Sequence, residues 1–143
     1  MKVLVFGAGG QIGREVCRGA WPPHYTVLPL DENAVDITKS AAVTAMLARE
    51  MPDLVINLAA YTAVDRAESE PEAAWAVNCA GAAHVAAACE ESATPLIHLS
   101  TDYCSTCAKP KPIRRTMRSA RSMSTDAVRK PASVRCERLW RGT

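Results

Sequence analysis

The stretch KVLVFGAGGQIG, residues 2–13, decides the fold of this chain. It begins with an apolar run typical of a buried β-strand and continues into glycines spaced three apart, Gly7, Gly10 and Gly13. A glycine turn between a strand and a helix lets backbone N–H groups approach a phosphate, and the positive end of the helix dipole points at it. The stretch therefore predicts a strand–turn–helix unit that binds a pyrophosphate.

Apolar, β-branched segments alternate with helical patterns along the first hundred residues. The predicted strands are 2–6, 26–30, 53–58 and 95–99, and the predicted helices lie near 11–20, 39–51 and 72–91. We expect Thr38 to cap the second helix and Pro71 to open the third. Connections this short imply parallel strands, so the prediction is an α/β, Rossmann-like, doubly wound sheet whose strands are buried on both faces.

Asp31 directly follows the second predicted strand, eighteen residues after Gly13. In a unit of this kind, a carboxylate at that place can bind the hydroxyls of a ribose. Asp31 therefore strengthens the prediction of a dinucleotide cofactor. Its charge favours NADH by repelling the 2′-phosphate of NADPH, but Asp31 alone does not decide between the two cofactors.

Residues 104–143 differ in character from residues 1–103. The first segment holds 6 Lys/Arg against 13 Asp/Glu, and the second holds 11 against 2. Only six of the last forty residues are Ile, Leu, Val, Met or Phe, with no strand or helix period. We predict a nucleotide-binding half-domain over 1–103, with an incomplete sheet, and a disordered or irregular Arg-rich tail over 104–143. Since Trp140 is the only aromatic residue of the tail, no nucleic-acid partner is expected.

The six cysteines do not form a metal-binding pattern. Cys17, Cys79 and Cys89 fall within predicted helices and are interpreted as buried thiols. Cys104 and Cys107 form one CxxC pair without a second pair or a nearby His, so no metal site is expected. The opening apolar run is too short for a signal segment or a membrane span, and we expect a cytoplasmic chain with no membrane contact.

Five further segments resemble the dTDP-4-dehydrorhamnose reductase family, which belongs to the extended short-chain dehydrogenases/reductases. They are Asp36-Ile37-Thr38, residues 57–65, residues 67–71, Val77-Asn78 and residues 98–103. The resemblance covers residues 1–103. It implies NADPH or NADH as cofactor, a dTDP-sugar substrate whose 4-keto group is reduced, and a possible homodimer of the full-length enzyme.

The resemblance also implies roles for individual residues. The expected cofactor contacts are Gly7, Gly10, Gln11, Ile12, Gly13, Asp31, Asp36, Ile37, Ala59, Ala60 and Tyr61. Thr101 is expected to assist catalysis, and Thr101 and Asp102 to face the substrate.

The family's catalytic Tyr and Lys, four residues apart, are absent. At that spacing Tyr25, Tyr61 and Tyr103 are followed by Pro29, Asp65 and Cys107. Because this pair supplies the proton in the family, we predict cofactor binding with little turnover. None of the three histidines, His24, His84 and His98, has a patterned partner, and each is interpreted as structural.

One hypothesis for the absence of the Tyr and Lys pair concerns the coding DNA. Codons for residues 123–135 can be chosen so that reading from the third base of the Met123 codon gives a Tyr and a Lys at the family's spacing. We hypothesise small insertions or deletions that leave a truncated, frameshifted form. The alternative is a non-catalytic regulatory module, because the family resembles the dinucleotide-binding regulatory subunit of methionine adenosyltransferase.

Overall fold

A four-stranded parallel sheet forms the centre of the molecule. The computed structural model describes residues 1–99, apart from the side chains of Val64 and Glu68. The strands are β1 (Lys2–Phe6), β2 (Thr26–Leu30), β3 (Leu54–Asn57) and β4 (Leu96–His98). They lie in the order β2-β1-β3-β4, and every pair is parallel. This arrangement confirms the predicted α/β, Rossmann-like fold.

Helices cover both faces of the sheet. They are α1 (Gln11–Arg18), α2 (Ser40–Glu50), α3 (Val64–Ser69), α4 (Pro71–Trp75) and α5 (Ala82–Glu91), with a π-helical segment (Ala76–Gly81) between the last two. Successive side chains of β1 point to opposite faces. Leu4 and Phe6 pack in one core with residues of α2 and α5, whereas Val3 and Val5 pack in a second core with residues of α1. The sheet is therefore doubly wound, as predicted.

Two of the four strands are less buried than the sequence indicates. β1 and β3 lie inside the sheet, but β2 exposes Thr26 and Pro29, and Ile97 of β4 is 54% exposed. β2 and β4 are the outer strands of the described sheet. Proline, which has no amide hydrogen to donate, is tolerated on such an outer strand. The prediction of burial on both faces is thus wrong for β2 and β4.

The helix predicted over 72–91 is three consecutive segments, and a short helix precedes it. Pro71 stands in the first turn of α4, as predicted, and Glu70 before it has left the helical conformation (φ −123°, ψ 55°). Proline disfavours the helical conformation in the residue before it, so α3 and α4 are separate helices. α3 was not predicted.

The predicted cap of α2 is wrong. Lys39 occupies the capping position and makes no side-chain hydrogen bond there. The Thr38 hydroxyl donates instead to Oδ1 of Asp36, at 2.7 Å. This local bond keeps Thr38 in the loop that follows β2 rather than at the helix.

Candidate functional site

Three loops meet at the edge of the sheet where β1, β2 and β3 end. The amide of Ala8, after β1, donates to the carbonyl of Leu30 in β2 (3.1 Å), and the amide of Leu58, after β3, donates to the carbonyl of Phe6 in β1 (3.0 Å). β2 and β3 lie on opposite sides of β1, so the chain changes direction here. In open α/β sheets, ligands bind at such a switch point. The structure thus gathers every predicted site residue among residues 1–99 at one edge.

Two of the motif glycines are required by packing. Gly7 has φ +77°, and a Cβ built on it would lie 2.5 Å from the amide nitrogen of Ala59. A Cβ on Gly13 would lie 2.1 Å from the carbonyl oxygen of Gly7. No side chain fits at either position. Gly7 therefore allows the β1 and β3 loops to touch, and Gly13 allows α1 to pack against the turn.

Gly10 differs from these two glycines. Its φ of −74° suits any residue, and a Cβ there would approach only the Gly7 carbonyl oxygen, at 3.4 Å. Packing within the described residues does not require a glycine at this position. A bare backbone there leaves room for a ligand to approach the turn.

The amino end of α1 faces outward beside Gly10. Gln11 and Ile12 are exposed, the latter by 53%, and no side chain caps this end of the helix. Uncapped N–H groups and the helix dipole together favour an anion. The Arg14 side chain donates from Nε to the Gly9 carbonyl (2.8 Å), which braces the turn. The turn and helix end thus form a cradle suited to a phosphate.

Asp31 and Asp36 shape the loop that follows β2. Oδ1 of Asp31 accepts hydrogen bonds from the amides of Asn33 (3.1 Å) and Ala34 (2.9 Å). Oδ1 of Asp36 accepts from the Thr38 hydroxyl and from the Thr38 amide, at 2.9 Å. These two bonds, the hydroxyl first, lower the pKa of the Asp36 carboxyl below its usual range. Both side chains are therefore held in place by backbone donors, and Asp36 stays an anion.

The loop after β3 is held by Asn78 in the π-helical segment. The Asn78 side chain is buried; its Oδ1 accepts from the Tyr61 amide (2.8 Å), and its Nδ2 donates to the Tyr61 carbonyl (3.0 Å). Segments of this kind occur often at functional sites. Sequence reasoning assigned no role to Asn78, although Val77-Asn78 was among the segments that carry the resemblance.

The Tyr61 side chain turns toward the helices. Its hydroxyl donates to Glu70 Oε2 (2.8 Å), and Arg66 Nη2 binds both Glu70 oxygens, at 3.0 and 3.2 Å. The bond to Glu70 raises the pKa of Tyr61, and the Tyr61 hydroxyl followed by Arg66 lowers the pKa of Glu70. With its amide, carbonyl and hydroxyl all bonded, Tyr61 braces the loop. The residues of this loop that lie beside the glycine turn are therefore the small ones, Ala59 and Ala60.

Asn57 ends β3 beneath this loop. The residue is 1% exposed, and its Oδ1 accepts from the Ala59 amide, at 3.0 Å. Nδ2 of Asn57 has no hydrogen-bond acceptor among residues 1–99. A buried amide donor usually has a partner. Its position at the junction of the β1 and β3 loops fits an edge that receives a polar ligand.

Several predicted features lie outside the described residues. They are Thr101, Asp102, the Cys104 and Cys107 pair, and the tail from 104 to 143. Within residues 1–99, no three His, Cys, Asp or Glu side chains come together as a metal site. None of the helices described there has the length and apolar character to cross a membrane.

The comparisons with known proteins agree with this geometry. Residues 1–141 match the family model of the RmlD substrate binding domain. The chain belongs to this family. The match runs beyond residue 103, where the quoted resemblance ends.

Individual relatives of this RmlD-family chain align with about 70% of its length. A dTDP-4-dehydrorhamnose reductase of Mycolicibacterium smegmatis is 46% identical over 102 residues, which is 71% of this chain and 31% of the relative. One of Streptomyces griseus is 47% identical over 105 residues, covering 70% and 33%. A crystal structure of the Bacillus anthracis dTDP-4-dehydrorhamnose reductase in complex with NADP has a TM-score of 0.90 at 30% identity, covering 96% of this chain and 49% of that one. The chain thus spans about a third of the length of the first two relatives and about half of the Bacillus anthracis chain.

Proposed function

We propose that this RmlD-family chain carries the NAD(P)H-binding part of a dTDP-4-dehydrorhamnose reductase, which reduces the 4-keto group of dTDP-4-dehydro-L-rhamnose to give dTDP-L-rhamnose. The supporting observation is the glycine turn, in which packing requires Gly7 and Gly13 but leaves Gly10 open beside an uncapped helix end. That combination is the cradle a dinucleotide pyrophosphate needs. The Bacillus anthracis relative, 30% identical, binds NADP.

Different residues at this edge are proposed to bind different parts of the cofactor. In the proposal, Gly7, Gly10, Gln11, Ile12 and Gly13 hold the pyrophosphate. Asp31 binds the adenosine ribose, Asp36 and Ile37 the adenine, and Ala59 and Ala60 lie along the nicotinamide ribose, with Tyr61 fixing their loop. Thr101 and Asp102 are proposed to face the dTDP-sugar, and Thr101 to assist catalysis. We propose residues 1–103 as the nucleotide-binding unit.

The chemistry needs a hydride and a proton. When bound, the dihydronicotinamide supplies the hydride to the keto carbon. The emerging alkoxide then needs an acid. Tyr61 does not suit this role, because its hydroxyl is bonded to Glu70 and its pKa is raised. No Tyr is followed four residues on by Lys in this chain. We therefore propose that the chain binds cofactor with little turnover.

A titration and an assay on the same preparation test this proposal. NADH and NADPH fluorescence is titrated with the 143-residue chain, and oxidation of the bound cofactor is then followed after adding dTDP-4-dehydro-L-rhamnose. Binding without oxidation is the expected result. Rapid oxidation would show that another residue supplies the proton, and lack of binding to either cofactor would overturn the proposal. If the cofactor binds but adding the dTDP-sugar leaves the fluorescence of the bound cofactor unchanged, the non-catalytic module is favoured instead.

A further inference from the structure

One side chain of α5 contacts the backbone of the loop after β2. Nδ1 of His84 lies 3.0 Å from the carbonyl oxygen of Ile37, 47 positions earlier in the chain. A carbonyl oxygen only accepts hydrogen bonds, so Nδ1 carries the hydrogen. The imidazole is half-buried between α5 and this loop. His84 thus joins the helix that follows β3 to the loop that follows β2.

The side chain of Ile37 is held by the same run of helix. It is 5% exposed, and a Cβ built on Gly81 would lie 2.7 Å from its Cδ1 and Cγ1. Gly81 therefore admits Ile37 by having no side chain of its own. The bond from His84 and this packing together fix both the backbone and the side chain of Ile37.

Asp36 directly precedes this fixed residue. Its Oδ1 is taken by Thr38, whereas its Oδ2 is 3.5 Å from Lys39 Nζ, and 40% of the side chain is exposed. An ionised carboxylate accepts hydrogen bonds and donates none. A base that offers an amino group to Asp36 is therefore favoured over one that offers a carbonyl oxygen.

We propose that His84 is a positioning residue for recognition of a 6-aminopurine: by holding the Ile37 carbonyl, it fixes where the adjacent Asp36 carboxylate meets the base. The proposal rests on the cofactor site proposed above and adds a residue outside that site which sets its selectivity for the base. The role of His84 is independent of the pyrophosphate cradle, which lies in the β1 loop.

Base selectivity is the measurement that tests this role. The probes are NADH and reduced nicotinamide hypoxanthine dinucleotide, in which a carbonyl oxygen replaces the 6-amino group of adenine. The parent chain is expected to bind NADH more tightly. His84→Ala should weaken NADH binding by about three- to tenfold, the range for one lost hydrogen bond. It should weaken binding of the hypoxanthine analogue less, so that the ratio of the two dissociation constants narrows.

Two further variants separate positioning from folding. In His84→Asn the side-chain amide can donate from nearly the place of Nδ1, so it should keep the parent ratio; His84→Gln, with its amide one bond further out, should not. His24→Ala is the matched control, because His24 precedes β2 and lies at the opposite edge of the sheet. It should leave both affinities unchanged.

Three results would overturn the proposal. A parent chain that binds both dinucleotides equally tightly shows no selectivity for His84 to support. If His84→Ala and His84→Gln weaken binding of NADH and of the hypoxanthine analogue by the same factor, His84 has a structural role alone. A parent chain that binds neither dinucleotide would remove the cofactor site itself, whereas the first two results leave it standing.

Discussion

The glycines of the β1 loop show how single residues divide between folding and binding. A Cβ on Gly13 would meet the Gly7 carbonyl oxygen at 2.1 Å and the Ala8 Cα at 2.7 Å, whereas a Cβ on Gly10 would meet only an atom at 3.4 Å. The two backbone atoms close to a Cβ on Gly13 cannot move aside without shifting α1. The motif thus contains glycines that the fold needs and one that the proposed ligand needs.

Alanine substitutions should therefore act mainly on stability at Gly13 and mainly on NADH binding at Gly10. Gly13→Ala is expected to lower the free energy of unfolding by roughly 2 kcal/mol through overpacking. Gly10→Ala should cost less than about 1 kcal/mol, the loss of a glycine at a helix cap, yet weaken NADH binding by about tenfold, or ~1.4 kcal/mol. Urea unfolding and fluorescence titration of both variants make the comparison. Gly10→Ala with undiminished NADH binding would show that no ligand approaches the turn there.

The charge of Asp31 is expected to shift the balance of affinities toward NADH and away from NADPH. Asp31→Asn keeps the oxygen that accepts from the Asn33 and Ala34 amides, so the loop should keep its shape. It removes the charge that repels a 2′-phosphate, which is worth about 1 kcal/mol at 4 Å in water. The ratio of NADPH to NADH affinity should rise about fivefold. An unchanged ratio would place the 2′ position away from Asp31.

At the scale of elements, the π-helical segment holds the loop after β3. Asn78 binds both the amide and the carbonyl of Tyr61, 17 positions earlier, and is 5% exposed. Asn78→Ala would leave two backbone groups of this loop without these partners. We expect a loss of roughly 2 kcal/mol in the free energy of unfolding, from two hydrogen bonds at about 1 kcal/mol each. Asn33→Ala, at an exposed loop position, is the control, and an equal effect of both would contradict this role.

The contact between Tyr61 and Glu70 should make stability depend on pH. The pKa of Glu70 is lowered in the folded chain, so its contribution is present above its unfolded pKa, about 4.3, and is lost as pH falls through the lower folded value. The parent should therefore be more stable than Glu70→Gln near neutral pH, and the difference should shrink below about pH 4. Thermal unfolding at several pH values measures it, with Glu72→Gln as control. A difference that stays constant with pH would contradict the account.

Local patterns in the sequence predicted the elements that depend on neighbouring residues. Four strands, three helical regions and the glycine turn follow from apolar periodicity and from glycine spacing. α3 and the π-helical segment do not, because Pro71 divides the helices and the partner of Asn78 is distant in sequence. The exposure of β2 and β4 depends on their outer positions in the sheet, which no local pattern encodes.

At the scale of the whole molecule, strand order creates the candidate site. β1 lies between β2 and β3, so the loops after all three strands converge at one edge, and the two cores on opposite faces fix the sheet beneath them. The sequence identified most residues of this edge through the resemblance it carries. It did not identify Asn78 and His84. Asn78 binds the loop after β3 and His84 binds the loop after β2, each through a contact distant in sequence.

The most direct test of the central claim is an NMR titration of the isotope-labelled chain with NADH, in which backbone amide shifts locate the bound cofactor. The account predicts the largest shifts at Gly9, Gly10, Gln11 and Ile12, with further shifts at Ala59 and Ala60 and in the loop from Asp31 to Ile37. Amides at the opposite edge, near Thr26, should be unaffected. Absence of shifts, or shifts confined to residues away from this edge, would contradict the claim that these three loops form a dinucleotide site.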